Sequence, residues 1–166
     1  MPLDAGKPDP SAAEALEPEM LERLFGGVLV SDKTAARLCQ AGLWLLAGHL
    51  DRCHEIAQSV GSADGSLWHA ILHRREGDFS NSVHWYRRAG GHGIYPALLG
   101  EAAKFSAADP LIAAASSGAS WDPERFIDAC RSALAGRGDA HACLTVQHAE
   151  WTLLFDWCYR KATAES

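Results

Sequence analysis

After residue 16, apolar residues recur at helical spacing along nearly the whole chain, and no stretch alternates as a half-buried strand would. A short amphipathic turn is predicted over Pro18–Phe25, ended by Gly26–Gly27. Asp32 is placed to cap a helix running to about Ala47, and Gly48 stops it. Leu50 to Val60 is the next helix, closed by Gly61. A loop, Ser62 to Gly65, feeds a helix from about Ser66 to Glu76 that ends at Gly77. Asp78 caps the following helix to Ala89, before the Gly90–Gly91–His92–Gly93 break. Pro96 to about Ala107 reads as helix, and Asp109–Ser120 as a short helix followed by a loop. Asp122–Pro123 opens a helix to about Leu134, and Asp139 caps the last one, to about Ala162.

That last helix carries one apolar stripe of Leu144, Trp151, Phe155 and Cys158, and a second of Val146, Ala149, Leu153 and Trp157 nearly opposite. A helix apolar on two faces is expected to be surrounded by protein, and this one to lie across the hairpins as a central or closing element. If Glu150, Asp156 and Arg160 are buried with it, they need partners, because an unpaired buried charge is costly.

Two segments match without gaps at an offset of 29 residues. Ala41, Gly48, Leu50, Cys53, Ala57 and Val60 correspond to Ala70, Gly77, Phe79, Ser82, Tyr86 and Ala89. The pattern resembles the tetratricopeptide-type helical hairpin, in which small residues let two helices cross closely and a glycine makes the turn. The offset is shorter than that family's usual ~34 residues, and two units form little concave groove. The pattern therefore implies an all-α, single-domain bundle built on two tetratricopeptide-like hairpins with a buried C-terminal helix. Residues 1–16 read as a flexible tail, 17–162 as the domain and 163–166 as a second tail.

Composition narrows the partners. The chain has 166 residues, 48% apolar, and a formal charge of -6, which argues against nucleic-acid binding. No apolar run approaches the ~20 residues a membrane span needs, and Met1–Pro10 lacks the apolar core of a signal peptide. The cysteines, Cys39, Cys53, Cys130, Cys143 and Cys158, are odd in number and never form C-x-x-C, which suits buried thiols in a reducing cytoplasm. The residue pattern calls for no cofactor, a divalent metal being the one candidate. The partners it points to are a small-molecule ligand or a protein, with no membrane and no nucleic acid.

Six of the eight histidines lie between His49 and His92. His69, His73 and Glu76 fall at i, i+4 and i+7 on one helix, within a narrow stripe. His54 lies on the preceding helix, and antiparallel packing can bring it to the same place. Two imidazoles one turn apart, a third from a neighbour and a carboxylate form a candidate metal set of His54, His69, His73 and Glu76. A wider ligand-binding candidate adds Trp68, Arg74, Asp78, Asn81, Trp85, Arg87 and His92. The same stripe also reads as an internally hydrogen-bonded polar face, since H-x-x-x-H without an internal Glu is not the zincin pattern. On the hairpin template His69 and His73 occupy packing positions, so they are expected to be at least partly buried. There is no phosphate-binding loop and no nucleophile elbow, and no residue can be named as catalytic. Cys53 beside His54 does not make a nucleophile pair, because neighbouring helical residues point about 100° apart.

The runs "CHEIAQS", "DGSLWHAILHRREGDFSNSVHWYRRAGGH", "WDPERFIDAC" and "AEWTLLFDWCYRKA" together resemble a family of uncharacterised bacterial proteins with relatives in plants and fungi. The shared pattern is H-x-x-x-Q, then W-H-x-x-x-H-R-R-E-x-D-x-x-N, then a Gly–His pair, over roughly residues 31–162. His54, Gln58, Trp68, His69, His73, Arg74, Arg75, Glu76, Asp78, Asn81, Trp85, Arg87 and His92 match it, with Trp121, Asp122, Glu150 and Trp151 further on. Gly93 stands where those relatives often have proline. The resemblance supports the domain extent and the polar cluster and names no activity. The leading expectation is a polar pocket that binds a small ligand or ion; the alternatives are a protein-interaction module and a metal-dependent hydrolase.

Overall fold

Side chains of Asp32, Ser62, Asp78, Asp109, Asp122 and Asp139 each accept hydrogen bonds from backbone N–H groups of the turn that follows. These caps satisfy donors that a helix start leaves open, and so set where the helices begin. The computed structural model describes residues 1–16 and 25–164. After a single helical turn at Ala12–Ala15 come α1 (Lys33–Leu46), α2 (Leu50–Ser59), α3 (Ala63–Glu76) and α4 (Phe79–Ala89). They are followed by α5 (Tyr95–Ala103), α6 (Pro110–Ser116), α7 (Pro123–Leu134) and α8 (Ala140–Thr163). There is no strand among the described residues. The turn expected over Pro18–Phe25 lies outside them apart from Phe25, which is buried and stacks on Tyr159 at 5.4 Å.

Helices α1 to α4 pack each on the next, α4 then meets α7, and α5, α6 and α7 pack in succession. Helix α8 closes the bundle against α1, α5 and α7. The two hairpins expected from the repeat are α1–α2 and α3–α4. Gly48 and Gly77 end their first helices with φ of +80° and +79°, a conformation that glycine adopts without strain. Two of the matched pairs, Ala41 with Ala70 and Cys53 with Ser82, are fully buried at both members.

Helix α3 starts three residues earlier than expected, because Ser62 caps it and draws Ala63–Gly65 into the first turn. It is buried without a break from Asp64 through Arg75. On α8 the two apolar stripes flank one buried seam through Cys143, Val146, Glu150, Leu154 and Cys158, while His141, His148, Asp156 and Arg160 face solvent. Of the three charged residues singled out there, only Glu150 is buried. Its partners are Arg74 Nη2 at 2.6 Å and the Tyr86 hydroxyl at 2.6 Å.

Residues 1–16, set apart by composition as a tail, make specific contacts. Gln147 donates to the Pro2 carbonyl at 2.8 Å, and buried Arg75 donates to the carbonyls of Asp4 and Ala5 at 3.1 Å and to that of Leu45. The Asp9 N–H donates to the Ala47 carbonyl at 2.8 Å.

Two close fits carry predictions. Removing the carboxylate in Glu150→Ala leaves Arg74 as an uncompensated buried cation and should cost about 3–5 kcal/mol in urea unfolding. A Cβ at Gly42 would lie 2.7 and 2.8 Å from ring atoms of the fully buried Trp68. Gly42→Ala should therefore cost about 1–3 kcal/mol by the same measurement, although alanine is the better helix former.

Candidate metal centre

The α2–α3 interface brings three imidazoles together. His69 and His73, one turn apart on α3, stack with ring centroids 4.8 Å apart and planes 18° from parallel. His54 of α2 stands nearly perpendicular to both, at 4.5 Å from His69 and 5.5 Å from His73. One ring nitrogen from each lies within 4.8 Å of the others. His69 and His73 are buried and His54 is half-buried. Trp85 of α4 covers the other face of His69, ring on ring at 3.8 Å, and the Arg88 guanidinium lies over Trp85 at 5.2 Å.

The hydrogen bonding of the three is uneven. His73 Nδ1 is paired with Glu76 Oε2 at 2.8 Å, which leaves its Nε2 available. Both nitrogens of His69 are buried and have no hydrogen-bond partner. Burial holds the His69 pKa down to about 4, and the neighbouring His54, His73, Arg88 and His84 push the same way. It is a neutral imidazole at pH 7, the form that binds metal. Cys53, beside His54 in the chain, is fully buried, and burial raises its pKa. It is neither a thiolate ligand nor a nucleophile.

The wider set of candidates does not share one pocket. His54, His69, His73, Glu76 and Trp85 come together. Trp68 turns toward α8, edge-on to Trp151 at 6.3 Å. Arg74 points toward Glu150, with its guanidinium over the Phe126 ring at 4.7 Å. Burial opposes its charge, but Glu150 outweighs burial and raises its pKa. Asp78 caps α4, accepting from the Asn81 N–H at 3.1 Å and the Ser80 hydroxyl at 2.9 Å. Arg87 is exposed and makes a two-pronged ion pair with Glu124, 2.8 Å at each contact.

His92 belongs to a second polar group that sequence reasoning missed. Its Nε2 lies 2.8 Å from Asp64 Oδ1, while the Ile94 N–H points at its Nδ1 from 3.3 Å. That pairing makes Nε2 the protonated nitrogen and the donor to Asp64. Trp157 Nε1 and Lys161 Nζ also donate to Asp64, at 2.9 and 2.8 Å. Burial tends to raise the Asp64 pKa, but the hydrogen bonds from His92 and Lys161 prevail and lower it. Asp64 looked like a loop residue, so nothing in the local pattern marked it. The i, i+4 spacing of Trp157 and Lys161 was the one available signal.

A buried neutral histidine makes stability depend on pH with a definite sign. The unfolded chain protonates His69 near pH 6.5, the folded chain only near pH 4. This contribution is complete above pH 6.5 and is lost as the pH falls toward 4. Urea midpoints measured between pH 4 and 7 should fall less steeply for His69→Phe than for the wild type.

No protein-family model, no curated protein and no solved structure matches this chain.

Proposed function

We propose that this protein binds a divalent transition-metal ion through His54, His69 and His73. The observation that carries this reading is His69: two buried ring nitrogens without a partner, inside a triangle of imidazoles. A buried polar group left unpaired is costly, and a cation bound at one of these nitrogens would remove the cost there. Zinc sits about 2.0–2.1 Å from histidine nitrogens, which puts tetrahedral donors roughly 3.4 Å apart. The present spacing, within 4.8 Å, is wider than that, so binding would draw the three rings together. Glu76 supports the same reading from outside, since a carboxylate on the far nitrogen of a ligating histidine fixes its tautomer and strengthens it as a donor.

Three neutral nitrogen donors favour zinc, copper or nickel over magnesium or calcium, which prefer oxygen. A fourth position would remain for water or a small ligand, the arrangement on which a metal-dependent hydrolase reading depends. In this account the tetratricopeptide-like hairpins are a scaffold, and their facing helices α2 and α3 supply the ligands. The W-H-x-x-x-H-R-R-E run of the family it resembles then contains two ligands and the orienting carboxylate. Five free buried cysteines support a cytoplasmic setting for the protein.

Metal analysis of protein purified without chelators, followed by calorimetric zinc titration of the apo form, tests the proposal. About one ion per chain is expected, with binding abolished by His69→Ala and weakened roughly 10–100-fold by Glu76→Gln. If zinc, copper and nickel all bind His69→Ala as well as they bind the wild type, the reading is wrong.

A further inference from the structure

Helices α7 and α8 meet through two thiols. Cys130 lies one helical turn before α7 ends at Leu134, and Cys143 about one turn after α8 begins at Ala140. The short turn between the two packed helices sets these positions opposite each other. Both side chains are fully buried and free, and the Cys130 S–H donates a hydrogen bond to the Cys143 sulfur. That bond gives the two sulfurs different characters. It holds the Cys143 pKa below the usual thiol value, with help from Arg74, against burial and the carboxylates of Asp109 and Asp139. Burial pushes the Cys130 pKa up, so Cys130 keeps its proton. The other cysteines lack this arrangement. Cys39 lies near Cys158, but burial pushes Cys39 up to about 12 and raises Cys158 as well, and it raises Cys53 likewise.

We propose that Cys130 and Cys143 are a peroxide-sensitive pair, which oxidation converts into a disulfide that staples α7 to α8. The Cys143 thiolate attacks one oxygen of hydrogen peroxide; an S–O bond forms, the O–O bond breaks and hydroxide leaves. Cys130 then attacks the sulfur of the resulting Cys143 sulfenic acid. The S–S bond forms, the S–O bond breaks, and water departs with the Cys130 proton. The two thiols lose two electrons and two protons in all, and the peroxide is reduced to two waters. Neither sulfur has accessible surface, so peroxide enters when the exposed hairpin end, residues 135–138, opens locally. Oxidation is therefore slower than at a surface thiol, and the disulfide, once formed, holds that end closed. Arg74 acts on both thiols and Glu150 on Cys130, so the staple fixes the start of α8 beside the ion pair that holds its middle.

The test treats the full chain, in native buffer, with hydrogen peroxide, followed by alkylation, peptide mapping without reduction, and thermal melts. A Cys130–Cys143 cross-link should be the main product, and dithiothreitol should reverse it. The cross-link joins residues 13 apart in the chain and should raise the melting temperature by about 5 °C or more. Cys130→Ser keeps a donor to Cys143 but removes the second thiol, so it should leave a Cys143 sulfenic acid that dimedone traps. Mapping of the wild type decides the pairing even if that variant does not fold. The proposal is overturned if Cys39 links to Cys158 instead, or if Cys130 and Cys143 stay unlinked. It is equally overturned if the linked protein melts no higher than the reduced one, or if folded Cys130→Ser gives no dimedone adduct.

Discussion

Everything in this bundle is arranged around the burial of one polar helix. Helix α3 is inaccessible from Asp64 to Arg75, yet five of those residues are ionisable: Asp64, His69, His73, Arg74 and Arg75. An apolar helix could be covered by many packings of similar energy, whereas buried charges accept few neighbours. Asp64 requires the end of α8 and the α4–α5 turn, which supply Trp157, Lys161 and His92. Arg74 requires the middle of α8, where Glu150 waits, and Arg75 requires the carbonyls of Asp4, Ala5 and Leu45. The charges of α3 thus specify where α8 lies and bring the first residues of the chain onto the hairpins.

This explains which parts of the fold could be read from the sequence. Helix starts were legible because capping is local: Asp32, Asp78, Asp122 and Asp139 each act on residues two or three positions ahead. The matched glycines, Gly48 and Gly77, were legible for the same reason. Which helix would be central was not. The double apolar stripe of α8 marked it as a central or closing element, and it is the closing one, while α3, nearly devoid of amphipathic contrast, is the helix enclosed. A helix whose polar residues are satisfied by distant partners looks like a solvated helix until those partners are in place.

The site followed the same rule. His69 and His73 share a face by helical spacing alone, and His54 joined them through the expected packing of α2 on α3. Trp68, Arg74 and His92 fall within the same span of sequence but leave the cluster, because α3 turns Trp68 and Arg74 toward α8 and His92 sits in the α4–α5 turn against Asp64. Asp64 and Glu150 are 86 residues apart, and each holds part of α3 against α8, a relation that no local spacing encodes.

The unpartnered atoms show where this scheme stops short. Among the described residues, Arg74 Nε and Trp68 Nε1 are buried without hydrogen bonds, but each has a soft neighbour. The Arg74 guanidinium lies over the Phe126 ring, and the Trp68 indole meets the Cys158 thiol, whose pKa burial raises against a smaller opposing effect of that indole. His69, Tyr95 and Trp121 are different, because they adjoin a cluster of donor nitrogens or a cleft. Helix α4 touches both places, with Trp85 against His69 and the adjacent Tyr86 lining the cleft. The Tyr86 hydroxyl meets Glu150, and Glu150 meets Arg74, one residue from His73. The imidazole cluster and the cleft are thus joined by the packed contacts of α4 and one buried carboxylate. The physical link is short, and it passes through the ion pair that holds the bundle closed.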